Sequence, residues 1–240
     1  MQSPIIPIKN VGNDGENVIS GLVDRFQRQY TYLRLSITDV CNFRCTYCLP
    51  DGYQPPAHKQ TFLTLPEIQR IANAFASLGT EKIRITGGEP TLRKDFLEIA
   101  HTIAQTQGIR KVALTTNGYR MEKDVSFWRE AGITDINVSV DSLDPRQFQL
   151  ITGENKLQSI LTGINKAFAV GYKKVKVNAV LMKQYTLPEL DKFLAWIKHQ
   201  PIQMRFIELM ETGEMDDFFK TQHLSGQSIL QRLLQEGWTL

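Results

Sequence analysis

YLRLSITDVCNFRCTYC, residues 32–48, joins a short apolar strand pattern to three cysteines with the spacing C-x3-C-x2-C. Thiolates are the usual ligands of iron–sulfur clusters, and Cys41, Cys45 and Cys48 are close enough in sequence to hold three irons of a [4Fe–4S] cube. The fourth iron would keep an open position, as a catalytic metal does. This stretch therefore predicts a strand that leads into a metal-binding loop.

The cysteine content favours metal binding over disulfides. The chain has three cysteines, all within residues 41–48, and its N-terminal residues lack the charged start and apolar run of an export signal. An odd, clustered set of thiols without such a signal indicates a reducing compartment, and we expect a cytoplasmic protein. A zinc site with His58 as its fourth ligand is an alternative that the spacing alone leaves open.

From the cysteines onward, short apolar segments alternate with amphipathic ones. Serial β-α units imply a parallel sheet with right-handed crossovers, and six units fall short of the eight that close a full barrel. We expect an α/β fold, an incomplete (β/α)6 TIM-like barrel with parallel strands. The predicted strands are 31–38, 82–86, 111–116, 134–140, 173–180 and 202–209.

The ends of several helices can also be predicted. TLPE at 64–67 offers a threonine cap, a proline in the first turn and a capping-box glutamate, and Gly79 marks the end of that helix. The same four residues at 186–189 predict a second capped start. Further helices are predicted over 95–106, 121–131, 156–170, 187–199 and 227–236.

Polar and glycine-rich signals cluster just after the predicted strands. The cysteines follow the first strand, GGEP at 87–90 follows the second, and NG at 117–118 follows the third. In parallel α/β sheets the carboxyl ends of the strands form the edge where ligands bind. We therefore expect these motifs to converge on one mouth, where the Glu89 carboxylate or nearby backbone carbonyls would meet an amino group.

Three cations interrupt the apolar strands, namely Arg34, Arg84 and Lys176. A buried cation needs a partner, and arginine binds a phosphate through a bidentate fork. The pattern favours a phosphorylated substrate, although each side chain could instead extend outward beneath a helix. Arg205 is a fourth strand cation, which we interpret as structural.

Composition and charge narrow the classes of function. The chain has 240 residues, a net charge of +3 and an ordinary globular composition, which indicates one domain with at most a modest appendage. No block of like charges suggests a nucleic-acid partner, and no apolar run is long enough to span a bilayer. Residues 1–21 are expected to form a flexible leader.

The motifs together resemble those of a known superfamily. CNFRCTYC and ITGGEP resemble the cysteine signature and the methionine-binding turn of radical S-adenosylmethionine enzymes, which implies a radical SAM core over residues 22–216. Within that superfamily the chain is similar to the GTP 3′,8-cyclase family of molybdenum cofactor biosynthesis. The matching stretches are LVDRF, YLRLSITDVCNFRCTYC, KIRITGGEPTLRKDF, LTTNG, INVSVDSLD, VKVNAV and RFIELMETGEM.

This resemblance implies a lyase-type reaction with two cofactors. A [4Fe–4S] cluster on the three cysteines would bind S-adenosylmethionine and reduce it, giving a 5′-deoxyadenosyl radical. The radical would remove the ribose 3′ hydrogen of GTP, and the new carbon radical would attack C8 of guanine. A reductant would supply the electron, and a downstream enzyme would form the pterin. A homodimer is left open.

The resemblance also implies two sets of contact residues. Those that would contact S-adenosylmethionine are Tyr47, Gly88, Ser139 and Met210. Those that would contact GTP are Arg34, Arg84, Thr115 and Lys176.

The family pattern is incomplete on the C-terminal side. The family carries a second iron–sulfur cluster on three cysteines of a C-terminal segment, and no cysteine follows Cys48 here. We therefore expect an N-terminal portion, with residues 217–240 starting a truncated C-terminal segment, that turns over GTP poorly. Two alternatives remain, namely a different radical SAM enzyme acting on another phosphorylated or peptide substrate, and a non-enzymatic zinc-binding module.

Overall fold

Six parallel strands form one open sheet in the order of the sequence. The computed structural model describes residues 21–57, 61–211 and 216–239, so the expected leader lies almost wholly outside the described residues, as does His58. The incomplete barrel of β-α units is confirmed, and each predicted strand agrees with the structure to within about two residues. The strands are β1 (Tyr32–Ser36), β2 (Lys82–Thr86), β3 (Lys111–Thr116), β4 (Ile133–Ser139), β5 (Val175–Leu181) and β6 (Ile202–Glu208).

Helices follow or connect these strands, and two of them were not predicted. The helices are α1 (Leu65–Ser77), α2 (Phe96–Ala104), α3 (Met121–Glu130), α4 (Pro145–Thr152), α5 (Leu157–Ala169), α6 (Leu190–Ile197), α7 (Asp216–Gln222) and α8 (Gly226–Gln235). The unpredicted ones are α4 and α7. Among the described residues, none of these helices has the length and apolarity needed to cross a membrane.

The two TLPE sequences form different structures. In the first, the Glu67 carboxylate accepts a hydrogen bond from the backbone nitrogen of Thr64 at 2.8 Å, as in a capping box, and a further bond from the Thr64 hydroxyl at 2.7 Å. In the second, residues Leu187–Glu189 form a 3-10 turn and the helix begins at Leu190. The prediction of a second capped start was wrong, because Thr186 donates to the Val180 carbonyl and Glu189 accepts from the Leu143 nitrogen instead.

The hydrophobic core lies between the sheet and its helices. Ile83 and Ile85 of β2 are fully buried there, together with Trp128 of α3. Because successive side chains of a strand point to opposite faces, the residues between them project away from the helices, onto what we call the inner face. The polar residues of the inner face include Arg34, Ser36, Lys82, Arg84, Thr86, Lys111, Thr115, Asp135, Asn137, Ser139, Lys176, Asn178, Gln203 and Arg205.

The C-terminal helices dock at the end of β6. Ile229 of α8 is buried against Leu181 and Leu190 in a second, smaller apolar cluster. The Glu208 carboxylate accepts from the Gly226 nitrogen at 2.7 Å, and it lies 2.9 Å from Nε2 of His223. Residues 216–239 are therefore attached to the same edge of the sheet that carries the mouth.

Candidate active site

The cysteine loop is fixed by backbone hydrogen bonds to two neighbours. The nitrogens of Arg44 and Thr46 donate to the carbonyls of Thr152 and Ile151, each at 2.9 Å. These carbonyls belong to the last turn of α4, where a helix leaves its acceptors without internal partners. The loop therefore completes the C-terminus of α4, a helix that the sequence analysis had missed.

The glycine turn after β2 holds the residues that precede the first cysteine. Gly88 donates to the Thr38 carbonyl and Glu89 donates to the Val40 carbonyl, both at 2.8 Å. A Cβ atom built on Gly88 would lie 2.4 Å from the carbonyl oxygens of Asp39 and Val40. A side chain does not fit there, so the glycine is required for the close approach of the two segments.

Glu89 serves the structure of the turn. Its buried carboxylate accepts from the nitrogen and hydroxyl of Thr91 at 3.1 and 2.6 Å, from the Thr116 hydroxyl at 2.8 Å and from the Asn117 nitrogen at 2.6 Å. Three of these donors bond Oε1 and the fourth bonds Oε2, and the side chain has no exposed surface. The expectation that this carboxylate meets a ligand amino group was therefore wrong.

The three thiols lie close enough to influence one another. Burial is the main cause that raises the pKa of Cys41, Cys45 and Cys48. The charge of Asp141, followed by those of the other two cysteines, raises the pKa of Cys45 further. Because thiolates are the metal-binding form, such a group needs a nearby positive charge to ionise. Iron would supply that charge, so the donor set fits an iron–sulfur cluster.

The described geometry does not favour a single metal ion. Within residues 21–57, 61–211 and 216–239, no three His, Cys, Asp or Glu side chains surround a point that one ion could occupy. A zinc ion binds each thiolate at about 2.3 Å, which brings its sulfurs within roughly 4 Å of one another. Each thiolate of a cube binds a different iron. His58, which the zinc alternative names as the fourth ligand, lies outside the described residues.

Tyr47 connects the cysteine loop to the ends of β4 and β5. Its hydroxyl donates to Oδ2 of Asp141 at 2.7 Å, and Oδ1 of Asp141 accepts from the Val180 nitrogen at 2.8 Å. Burial raises the pKa of Asp141 to about 6 and raises the pKa of Tyr47 well above its ordinary value. The sequence analysis gave Asp141 no role.

The other residues assigned to S-adenosylmethionine lie at different parts of the rim. Ser139 is the last residue of β4, in register with Asn178. Met210 follows β6 and is 76% exposed, so its side chain does not belong to the hydrophobic core. The structure thus brings Tyr47 and Gly88 to the cysteine loop, while Met210 stands at the opposite edge of the sheet.

The residues assigned to GTP lie together on the inner face. Arg84 is 6% exposed, and its guanidinium donates to the Tyr32 hydroxyl at 2.6 Å and to the Thr115 hydroxyl at 3.1 Å. Arg34 is its neighbour in register on β1. Burial is the main cause that lowers the pKa of Lys176, followed by the charges of Arg205 and Lys82. The alternative in which these cations extend beneath helices is wrong.

Three further cations share this face. The sequence reasoning missed Lys82 and Lys111 and interpreted Arg205 as structural. Lys82 and Lys111 begin β2 and β3, and Arg205 stands in register with Asn178. Asp135 is the single carboxylate on the inner face of the described strands, and it lies 3.7 Å from Lys82. Strand alternation would have placed all three on this face. Lys82 and Lys111 have the parity of Arg84 and Thr115, and Arg205 alternates with the apolar Met204 and Phe206.

Comparison with known proteins agrees with this geometry. Residues 35–197 match the model of the radical SAM superfamily. The chain is 79% identical over 240 residues to the GTP 3′,8-cyclase of Actinobacillus pleuropneumoniae serotype 3 (strain JL03), covering all of this chain and 69% of that protein. It is 77% identical over 235 residues to the GTP 3′,8-cyclase of Haemophilus ducreyi, covering 98% of this chain and 68% of that protein. The chain belongs to the GTP 3′,8-cyclase family.

Solved structures show how this GTP 3′,8-cyclase family member shares its fold with more distant proteins. Streptococcus suis SuiB bound to S-adenosylmethionine aligns with a TM-score of 0.65 at 21% identity, over 86% of this chain and 46% of SuiB. HydG, a maturase of the [FeFe]-hydrogenase, aligns with a TM-score of 0.63 at 16% identity, over 82% of this chain and 46% of HydG. At these identities the likeness concerns the fold alone.

Proposed function

We propose that this chain binds GTP on its inner face and holds a [4Fe–4S] cluster with S-adenosylmethionine at its cysteine loop, for the GTP 3′,8-cyclase reaction. The observation that carries the proposal is the concentration of cations on one polar face of a sheet whose first strand leads into the cysteine loop. When bound, the cluster and S-adenosylmethionine supply a 5′-deoxyadenosyl radical. The chain itself orients the two ligands and keeps the radical away from solvent.

On the cofactor side, Cys41, Cys45 and Cys48 would hold the cluster. The other residues at this rim would contact S-adenosylmethionine, and the Gly88 backbone fits this role because it is exposed. Asn178, beside Ser139, adds an amide to the same rim. These contacts are Tyr47, Gly88, Ser139 and Met210.

On the substrate side, cations from four different strands would bind the triphosphate. Arginine forks and lysine point charges are the usual partners of phosphate oxygens, and four strands can approach a triphosphate from several directions. The charges of Arg205 and Lys82 lower the pKa of Lys176, which shows that the three cations lie near one another and supports this role. The full set is Arg34, Lys82, Arg84, Thr115, Lys176 and Arg205.

The cofactor assignment is tested by anaerobic reconstitution of the protein with iron and sulfide. We expect four irons and about four sulfides per chain, and 5′-deoxyadenosine after S-adenosylmethionine and a reductant are added. Replacing Cys41, Cys45 or Cys48 with alanine should abolish stable iron loading. A colourless protein that binds one zinc, or three cysteine variants that load iron normally, would contradict the proposal.

The substrate assignment is tested by calorimetric titration of GTP. Lys176→Ala should weaken GTP binding by roughly 10-fold or more, since it removes a partly buried charge-assisted contact. Lys123→Ala, on the exposed side of α3, is the matched control and should leave the dissociation constant unchanged. Equal affinities for wild type and Lys176→Ala would remove this lysine from the site.

The remaining assignments concern organisation and context. We propose residues 22–216 as the radical SAM core, with residues 217–240 as the beginning of a further segment, and turnover of GTP by these 240 residues alone measures how much of the activity the core carries. Free thiols suit a reducing compartment, so we propose the cytoplasm. The proposed partners are an electron donor and a downstream pterin-forming enzyme, and a homodimer is a proposal to be checked by sedimentation.

A further inference from the structure

Two asparagines of the inner face have amide oxygens that are buried and lack a hydrogen-bond partner among the described residues. They are Asn137 of β4 and Asn178 of β5. Asn137 is 5% exposed. An amide oxygen buried without a donor destabilises the folded state. Its presence in a face already rich in ligand-binding groups therefore points to a donor supplied by a ligand.

The strand register places Asn137 between two residues of the proposed GTP site. Thr115 of β3 is its neighbour on one side, and Lys176 of β5 is its neighbour on the other. One step nearer the rim, Ser139 and Asn178 are in register with each other on the cofactor side. Asn137 thus lies inside the proposed GTP site, one step below the rim and one step nearer the rim than the level of Arg84.

We infer that Asn137 binds the ribose hydroxyls of the nucleotide substrate, an inference that rests on the proposed GTP site. Phosphate oxygens accept hydrogen bonds and cannot satisfy an amide oxygen. The ribose is joined directly to the phosphates and carries two adjacent hydroxyls, each of which donates and accepts. A terminal amide offers one acceptor and two donors, so it can pair with both hydroxyls at once.

The chemistry of the family agrees with this placement. A bond to the 3′ position requires the ribose to lie at the junction between the phosphate site and the radical source, within close reach of the reacting atom. Asn137 lies between the level of Arg84 and the rim. By holding the two hydroxyls it would fix which carbon of the ring faces the cysteine loop, which makes it a specificity-determining residue.

The experiment compares GTP with 2′,3′-dideoxyGTP by anaerobic calorimetric titration without reductant. Wild type should bind GTP roughly 10-fold more tightly than the dideoxy analogue, as expected for a pair of hydrogen bonds to a buried amide. Asn137→Ala should bind GTP more weakly by a similar factor and the analogue as before, so that the ratio falls to about 1. Asn73→Ala, an exposed position on α1, should keep the wild-type ratio.

Several outcomes would overturn the inference. Equal affinity of the wild-type protein for GTP and 2′,3′-dideoxyGTP would overturn it without any variant. If Asn137→Ala fails to fold, Asn137→Ser replaces it, and a wild-type ratio in that variant would be equally decisive. A variant that instead loses the preference for GTP over inosine triphosphate would assign Asn137 to the base.

Failure of the proposed function would give a result distinguishable from failure of this inference. In that case wild type binds neither GTP nor its analogue, or Lys176→Ala binds GTP normally.

Discussion

Replacing Gly88 with alanine should damage the cysteine loop without touching a cysteine. The added Cβ would lie 2.4 Å from two backbone carbonyl oxygens, of Asp39 and Val40, and neither can rotate away as a side chain could. Restoring ordinary contact requires the two segments to separate by about 1 Å, which is enough to break the bonds from Gly88 and Glu89 to the residues before Cys41. Two backbone hydrogen bonds and the strain that remains amount to about 3 kcal/mol.

The assay is urea unfolding of the apoprotein, with iron content after reconstitution as the second measurement. Gly171→Ala is the matched control, because Gly171 has a φ of +96° but nothing within 4 Å of the added atom. That variant should lose only about 1 kcal/mol through backbone strain and should load iron normally. If Gly88→Ala unfolds like the control and retains its iron, the close approach of these two segments is not what holds the loop.

Two other substitutions test local features of the fold. The pKa of Asp141 is raised by burial from 3.8 to about 6, so its contribution to apoprotein stability is fully present below pH 4 and is lost as the pH rises to 6. Asp141→Asn should remove a pH dependence of about 3 kcal/mol, and unchanged pH profiles of urea unfolding would contradict the raised pKa. Gln27 has a φ of +64° in a tight turn, and Gln27→Gly should therefore raise the free energy of unfolding by about 0.5–1 kcal/mol, measured by the same titration. A less stable Gln27→Gly protein would show that the side chain has a favourable contact there.

The sheet was predictable because its signals are local. Each strand is a short apolar run bounded by helix caps and glycines, and the order of β-α units fixes the topology. The helix α4 had an equally local signal, since Asp144 accepts from the nitrogens of Arg146 and Gln147 and Pro145 stands in the first turn. It was missed because the segment lies between two stronger patterns, strand four and α5.

The errors concern side chains whose partners lie far away in sequence. Glu89 belongs to a turn with the composition of a ligand-binding site, but its carboxylate is hydrogen-bonded by Thr91 and by the end of β3. The link from Tyr47 to Asp141 spans 94 residues. No periodicity reports such a contact, because it depends on how the loop rests on the sheet. Parity along a strand is local, however, and applying it to Arg205 would have placed that residue on the inner face.

The cysteine loop is held by main-chain bonds that do not involve sulfur. Arg44 and Thr46, in the middle of the loop, bond to α4, and the glycine turn bonds to residues 38–40, which precede the loop. Its conformation should therefore exist before any iron arrives. In zinc fingers, by contrast, metal affinity is consumed in ordering the chain. Here the folding of the chain already orders the loop, so no metal affinity is needed for that step. Iron release and unfolding should therefore occur as separate transitions. The emptied loop should accept a new cluster without passing through a disordered state.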